Sequence, residues 1–95
     1  MIVFREAVVA EFAARHSASR SALGRFLRLA RAADWPHFLA VKRTFPATDY
    51  APATGMLIFN VGGNEYRVVA RVNFEKQSIV IDRVLTHEEY NRERL

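Results

Sequence analysis

The chain contains no cysteine, so neither a disulfide framework nor a thiolate zinc site can be built from it, and the fold must stand on packing. Such usage suits a reducing cytosol. No apolar run approaches the roughly 18–20 residues of a membrane span, and Arg5, Glu6 and Glu11 interrupt the opening stretch where a secretory signal would need an apolar core. The reading is a soluble, cytoplasmic protein with no membrane partner. Glycine is sparse, and Gly62-Gly63 sits between strand-like runs rather than ahead of a helix, which excludes a phosphate-cradling nucleotide loop. The three histidines are scattered, and Glu88 and Glu89 are adjacent, so they do not share one helical face and no metal constellation forms. No metal and no cofactor are expected. Without an internal repeat or linker, the 95 residues make a single domain, 1–95.

Acid is scarcest in the first half. From Arg15 to Arg43 there are seven cations against one acid, Asp34, a local charge of +6 within a net charge of +4. Of the fourteen cations twelve are arginine, a bias towards planar, bidentate contacts with phosphate or carboxylate. The partner is expected to be anionic, either RNA or an acidic protein surface, and composition does not choose between them.

Apolar spacing supplies the elements. Met1 to Phe4 is a short β-branched strand, and Val8, Val9, Phe12 and Ala13 mark one face of a helix ending near His16. Ser17 and Ser19 are candidate N-caps for a second helix carrying Leu23, Phe26, Leu27 and Ala30 on one side. Its other side shows Arg20, Arg28 and Arg31, with little acid to neutralise them. Pro36 opens a short helical turn that stops before Pro46 and ends on Lys42 and Arg43, where cations complement a helix dipole. Residues 47–55 hold a strand-breaking proline, Pro52, and small residues, and are expected to form a loop.

Met56 to Val61 is a buried strand, and Gly62-Gly63-Asn64 supplies the positive-φ residues of a hairpin. In Tyr66 to Phe74 the side chains alternate: Tyr66, Val68, Ala70, Val72 and Phe74 face the core, while Arg67, Val69, Arg71 and Asn73 face away. After a turn at 75–77, Ser78 to Leu85 makes the last strand. Thr86-His87-Glu88-Glu89 begins a capped final helix. The expected fold is α+β, in the order β-α-α-β-β-β, with an antiparallel sheet and two N-terminal helices packed on one face.

Three ordered blocks, WPHFLAVKRTFP (35–46), FNVGGNEYRVVARVNF (59–74) and VLTHEEY (84–90), resemble the HigB toxin family, a branch of the RelE/ParE-like toxins; weaker similarity covers nearly the whole chain. The resemblance implies a small RelE-like domain that cleaves messenger RNA, mostly on the ribosome, and is neutralised by a cognate HigA-like helix-turn-helix antitoxin. It also implies that Arg67, directly after Tyr66 in the central strand, stands against the scissile phosphate, and that Lys42 occupies a position where relatives also carry lysine.

Metal-independent RNA cleavage needs a base for the ribose 2′-hydroxyl proton, cations for charge on the phosphorus oxygens, and an acid for the leaving 5′-oxygen. Arg67 and Arg71 are the candidate charge stabilisers, although strand arginines also commonly pair with surface carboxylates. His87 is the candidate proton-transfer group and Tyr90 a weak acid or base-stacking ring. Lys42 completes the catalytic set, and Arg43, Arg20, Arg28 and Arg31 are assigned to RNA binding. A lone histidine at a helix start is more often structural; the family resemblance reverses that for His87, whereas His16 and His37 are taken as surface or capping residues. Two departures stand out. Glu65 replaces a basic residue expected before Tyr66, and Asp82-Arg83 stands where relatives usually carry a cation followed by an aromatic. The reversal is expected to move positive charge to the opposite strand face and to weaken catalysis, so Arg83 is left outside the site. Two other functions stay open: a ParE-like toxin acting on a protein such as gyrase, and a non-catalytic RNA- or ribosome-binding module.

Overall fold

The computed structural model describes residues 1–93. The chain runs β1 (Ile2–Phe4), α1 (Glu6–Arg15), a 3-10 turn at Ser17–Ser19, α2 (Arg20–Ala32), α3 (Phe38–Thr44), β2 (Thr48–Ala51), β3 (Met56–Val61), β4 (Tyr66–Asn73), β5 (Ser78–Thr86) and α4 (His87–Glu93). The strands form one sheet in the order β1-β5-β4-β3-β2. The fold is α+β as expected, with additions at both ends of the meander.

The four consecutive strands β2 to β5 pair antiparallel, whereas β1 lies parallel to β5, with Ile2 opposite Ser78 and Phe4 opposite Val80. The sheet is therefore mixed rather than antiparallel. A parallel neighbour needs a long crossover, and the whole chain between β1 and β5 supplies it. The second correction concerns the expected loop at 47–55, which contains β2. Pro46 and Pro52 flank that strand instead of interrupting it, and Thr48 pairs with Phe59 while Ala51 pairs with Met56. Thr48 is fully buried, its hydroxyl donating to the Phe45 carbonyl at 2.7 Å.

The main core lies between the helices and one sheet face. Phe26, Phe45 and Trp35 surround Phe59, with ring centroids 5.0, 5.5 and 6.2 Å from it; such aromatic pairs contribute about 0.5–1.5 kcal/mol each beyond area burial. The parity expected for β4 holds, since Tyr66, Val68, Ala70, Val72 and Phe74 all join this core. Ser19 is buried, but its hydroxyl does not cap α2; it donates to the His16 carbonyl at 2.6 Å, closing the 3-10 turn.

The other sheet face carries a smaller apolar cluster of Ala51, Met56, Ile58, Val69 and Leu85, on which Tyr90 rests. A register shift in β5 makes this possible. Val69 pairs with Arg83 and Ala70 with Ile81, leaving Asp82 as the extra residue of a bulge. Before the bulge Ile79 and Ile81 face the helices; after it Val84 does, and Arg83 and Leu85 turn to the second face. The bulge thus aims the end of β5, and α4 behind it, over that face.

Gly62, Gly63 and Asn64 have φ of 63, 62 and 73°, so the β3–β4 connection takes the left-handed conformations that its glycines accept without strain. A Cβ on Gly62 would fall 2.9 Å from the Tyr66 ring, which adds a steric reason for glycine there.

Candidate active site

Arg67, His87 and Tyr90 come together on the second sheet face at its junction with α4. An Arg67 guanidinium nitrogen lies 2.9 Å from His87 Nδ1, and the Arg67 Cζ sits 5.4 Å from the centroid of the Tyr90 ring. A second guanidinium nitrogen donates to the Asn64 carbonyl at 2.6 Å. Arginine has no acceptor, so Nδ1 accepts, and the neutral imidazole carries its proton on Nε2. The amide of Asn91 lies 3.2 Å from Nε2. The atom placed there is the amide nitrogen, a donor like Nε2–H, so the pairing is made only with the amide turned to present its oxygen.

The side chain of Arg67 departs from expectation. It belongs to the face away from the main core, yet only 7% of the residue is exposed, because Tyr90 and α4 cover it. Truncating it would therefore open space and remove hydrogen bonds, contrary to the surface position that alternation alone implies. His87 is exposed, and its backbone N–H donates to the Glu65 carbonyl at 2.9 Å.

Helix α4 starts where the sequence says it should. The Thr86 hydroxyl accepts the Glu89 N–H at 3.2 Å and the Glu89 carboxylate accepts the Thr86 N–H at 2.8 Å, a reciprocal capping box. That bond to the Thr86 backbone, joined by the Thr86 hydroxyl and by the charges of His16 and Arg92, holds the Glu89 carboxyl below its ordinary value. A depressed carboxylate stabilises the folded state above its unfolded pKa, and the contribution disappears as pH falls through the folded value. Glu89→Gln is expected to remove that part of the acid dependence in urea melts between about pH 6 and pH 3. Thr86→Ala should cost about 0.5–2 kcal/mol at neutral pH.

Arg83 lies on the same face as Arg67 and Arg71, since residues directly opposite across a strand pair share a side. The expected transfer of its charge to the other face does not occur; the bulge at Asp82 restores the parity. Arg83 is held by carboxylates, with Nε 3.2 Å from Asp82 and a terminal nitrogen 2.6 Å from Glu93. The first contact lacks hydrogen-bond geometry, leaving Nε without a partner in the described structure. Arg71, two places along the strand from Val69, is exposed and donates to the Thr54 carbonyl at 3.2 Å.

The remaining candidates are dispersed. Lys42 Nζ donates to the Thr48 carbonyl at 3.0 Å, tying α3 to the edge strand β2; that edge is two strands, about 10 Å, from β4. Arg20, Arg28 and Arg43 are exposed. Arg31 is not the unneutralised cation expected of it: it forms a bidentate pair with Glu6 of α1, drawing the Glu6 carboxyl downward. That pairing joins residues 25 apart, beyond the reach of helical i, i+4 reasoning. His16 stacks on Phe12 at 4.1 Å, a packing role. Asn91 is a site neighbour missing from the sequence reading, which named Arg83 but left it outside the site. Asn91 was accessible as the i+4 neighbour of His87 on one helix face; nothing in the sequence marks the bulge that recovers Arg83.

Among the described residues no group of three or more His, Cys, Asp or Glu side chains is placed to hold a metal ion, and no helix is long and apolar enough to cross a membrane.

The helix-backed five-stranded sheet, with an arginine, a histidine and a tyrosine gathered where its last strand meets a short helix, is compatible with a small RelE-like domain. The chain belongs to the HigB toxin family, described as the RelE-like toxic component of a toxin-antitoxin system, whose family model matches residues 19–93. It is similar to the mRNA interferase toxin HigB of Escherichia coli (strain K12), 47% identical over 53 residues, which are 55% of this chain and 51% of that protein. The mRNA interferase HigB proteins of Escherichia coli O157:H7 and Shigella flexneri match at the same level. The chain spans about half the length of these curated relatives.

Proposed function

We propose that the protein is the toxin of a toxin-antitoxin pair, a metal-independent endoribonuclease that cuts messenger RNA on the ribosome in the cytoplasm and is restrained by a HigA-like helix-turn-helix antitoxin. The observation that carries this reading is the 2.9 Å contact between Arg67 and His87 beneath Tyr90, which puts a cation, a proton-transfer group and a phenol in one place.

In the resting arrangement His87 Nε2–H is a donor, paired with the Asn91 amide, rather than a base. It takes the 2′-hydroxyl proton only after its own proton moves to Nδ1, which breaks the Arg67 bond. A phosphate oxygen is a stronger acceptor for guanidinium than an imidazole nitrogen, so substrate draws Arg67 towards the scissile phosphate and frees the imidazole in one exchange. The 2′-oxygen then bonds to phosphorus as its proton passes to Nε2, the bond from phosphorus to the 5′-oxygen breaks, and the Tyr90 hydroxyl protonates that oxygen. Arg71, four residues and about 13 Å along β4 from Arg67, is an exposed cation for the path of the RNA rather than for the scissile phosphate. Lys42, committed to Thr48, belongs to the path of the RNA rather than to the reacting atoms.

Purified protein acting on messenger-programmed ribosomes is expected to leave 5′-hydroxyl and 2′,3′-cyclic phosphate ends. Products carrying 5′-phosphate require attack by water and would overturn the mechanism.

The basic helical surface serves docking. Arg20→Glu with Arg28→Glu is expected to weaken ribosome or antitoxin association, more at low salt than at high salt, while the cleavage rate at saturation stays unchanged. Loss of rate with binding intact would place those arginines in the chemistry instead.

A further inference from the structure

The second sheet face extends beyond the Arg67 group to an apolar edge that the mechanism does not use. Phe4 pairs with Val80, and Val80 with Arg71, so these three side chains form one row across β1, β5 and β4 on the same face. Phe4 is 50% exposed, Ile2 64% and Val80 37%. Arg71, Asn73, Ser78 and Val80 line an adjoining hollow. A half-exposed aromatic ring at one end of an apolar row that runs to a cation is unusual for a small domain, whose rings are ordinarily drawn into the core.

We propose that Phe4 is a stacking platform for a nucleobase of single-stranded RNA lying a few nucleotides from the scissile bond, with Arg71 holding the phosphate between them. This rests on the ribonuclease reading above. Arg71 lies about 13 Å along β4 from Arg67, and Phe4 about 10 Å across the sheet from Arg71. An RNA strand following that diagonal meets a cation, an apolar floor and a ring, the combination by which proteins hold single strands without reading their sequence. The charge favours RNA over another apolar chain, because Arg71 flanks the patch on one side and exposed Arg5 follows Phe4 directly. Strand addition by a protein is disfavoured, since β1 is only three residues long and Arg5 ends it in a left-handed conformation, φ 66°; short edge strands are how sheets discourage such pairing.

The test uses the full chain with 2′-O-methylated RNA, which removes the nucleophilic hydroxyl, carrying 5-iodouridine at each position in turn and presented on programmed ribosomes. Irradiation is expected to link the RNA to the peptide containing Phe4 at one or two neighbouring positions. Phe4→Tyr should keep both the cross-link and the affinity; Phe4→Leu should lose the cross-link and weaken binding about 5- to 150-fold, the range of one base–aromatic stack. Phe4→Leu with full affinity is the result expected if a partner protein or a second copy of the chain covers this edge, and it would overturn the stacking site while leaving the ribonuclease reading in place. If the unaltered protein cross-links to RNA nowhere, on Phe4 or around His87 and Tyr90, the ribonuclease reading falls and this proposal with it.

Discussion

Arg67→Ala is expected to abolish toxicity and to lower single-turnover cleavage by at least 10²–10³, the usual cost of removing a group that stabilises charge in the transition state. The burial of Arg67 adds a second effect. The substitution strips the donor from the Asn64 carbonyl and from His87 Nδ1 and leaves space under the Tyr90 ring, so the fold should lose about 1–3 kcal/mol. Rates must therefore be measured on protein shown to be folded, and Arg67→Lys supplies the control. Lysine keeps the charge but cannot make both contacts from one planar group, so it should recover stability better than rate. Undiminished cleavage by folded Arg67→Ala would remove this residue from the site.

His87→Gln is expected to lower the single-turnover rate by roughly 10²–10⁴ while leaving RNA and ribosome affinity nearly unchanged, because glutamine can still hydrogen-bond but cannot exchange a proton in the neutral range. The stability change separates the chemical role from a structural one. His87 is exposed, and its backbone rather than its side chain joins α4 to the β3–β4 turn through Glu65, so the variant should melt close to the parent. An unchanged rate at saturating substrate would assign His87 to scaffolding and shift proton transfer towards Tyr90.

These two residues also show where the sequence was legible and where it was not. The alternation in β4 put Tyr66, Val68 and Ala70 in the core and Arg67 on the other face, and all three core assignments hold, because strand periodicity is a local property. The burial of Arg67 is not local. It depends on α4 folding back over the sheet, and on Leu85 and Tyr90 meeting there. The capping box at Thr86 and Glu89 could be read from spacing alone, as could the positive-φ turn at 62–64. The bulge at Asp82 could not, since it is set by the pairing of two strands whose separate patterns are ordinary. That single inserted residue overturned the expectation for Arg83, placing its charge on the site face, where Glu93 and Asp82 hold it. Strand β2 was hidden for a different reason. Pro52 reads as a breaker of the segment, but it lies at the border of the strand, where it costs no ladder hydrogen bond. The neutralisation of Arg31 by Glu6 likewise joins separate helices, and only packing reveals it. The resemblance to the family rested on ordered blocks over α3, over the end of β3 with β4, and over the end of β5 with the start of α4, and it carried the assignment of His87 further than any argument from residue type.

The central claim is that the group formed by Arg67, His87 and Tyr90 cuts messenger RNA. Its most direct test is to map RNA 5′-ends after a brief induction of the unaltered protein and, in parallel, of His87→Gln at matched levels. The account predicts new internal ends within coding sequence for the first and their near absence for the second. Growth arrest by the unaltered protein with no new RNA ends would contradict it, and would point to a protein target instead.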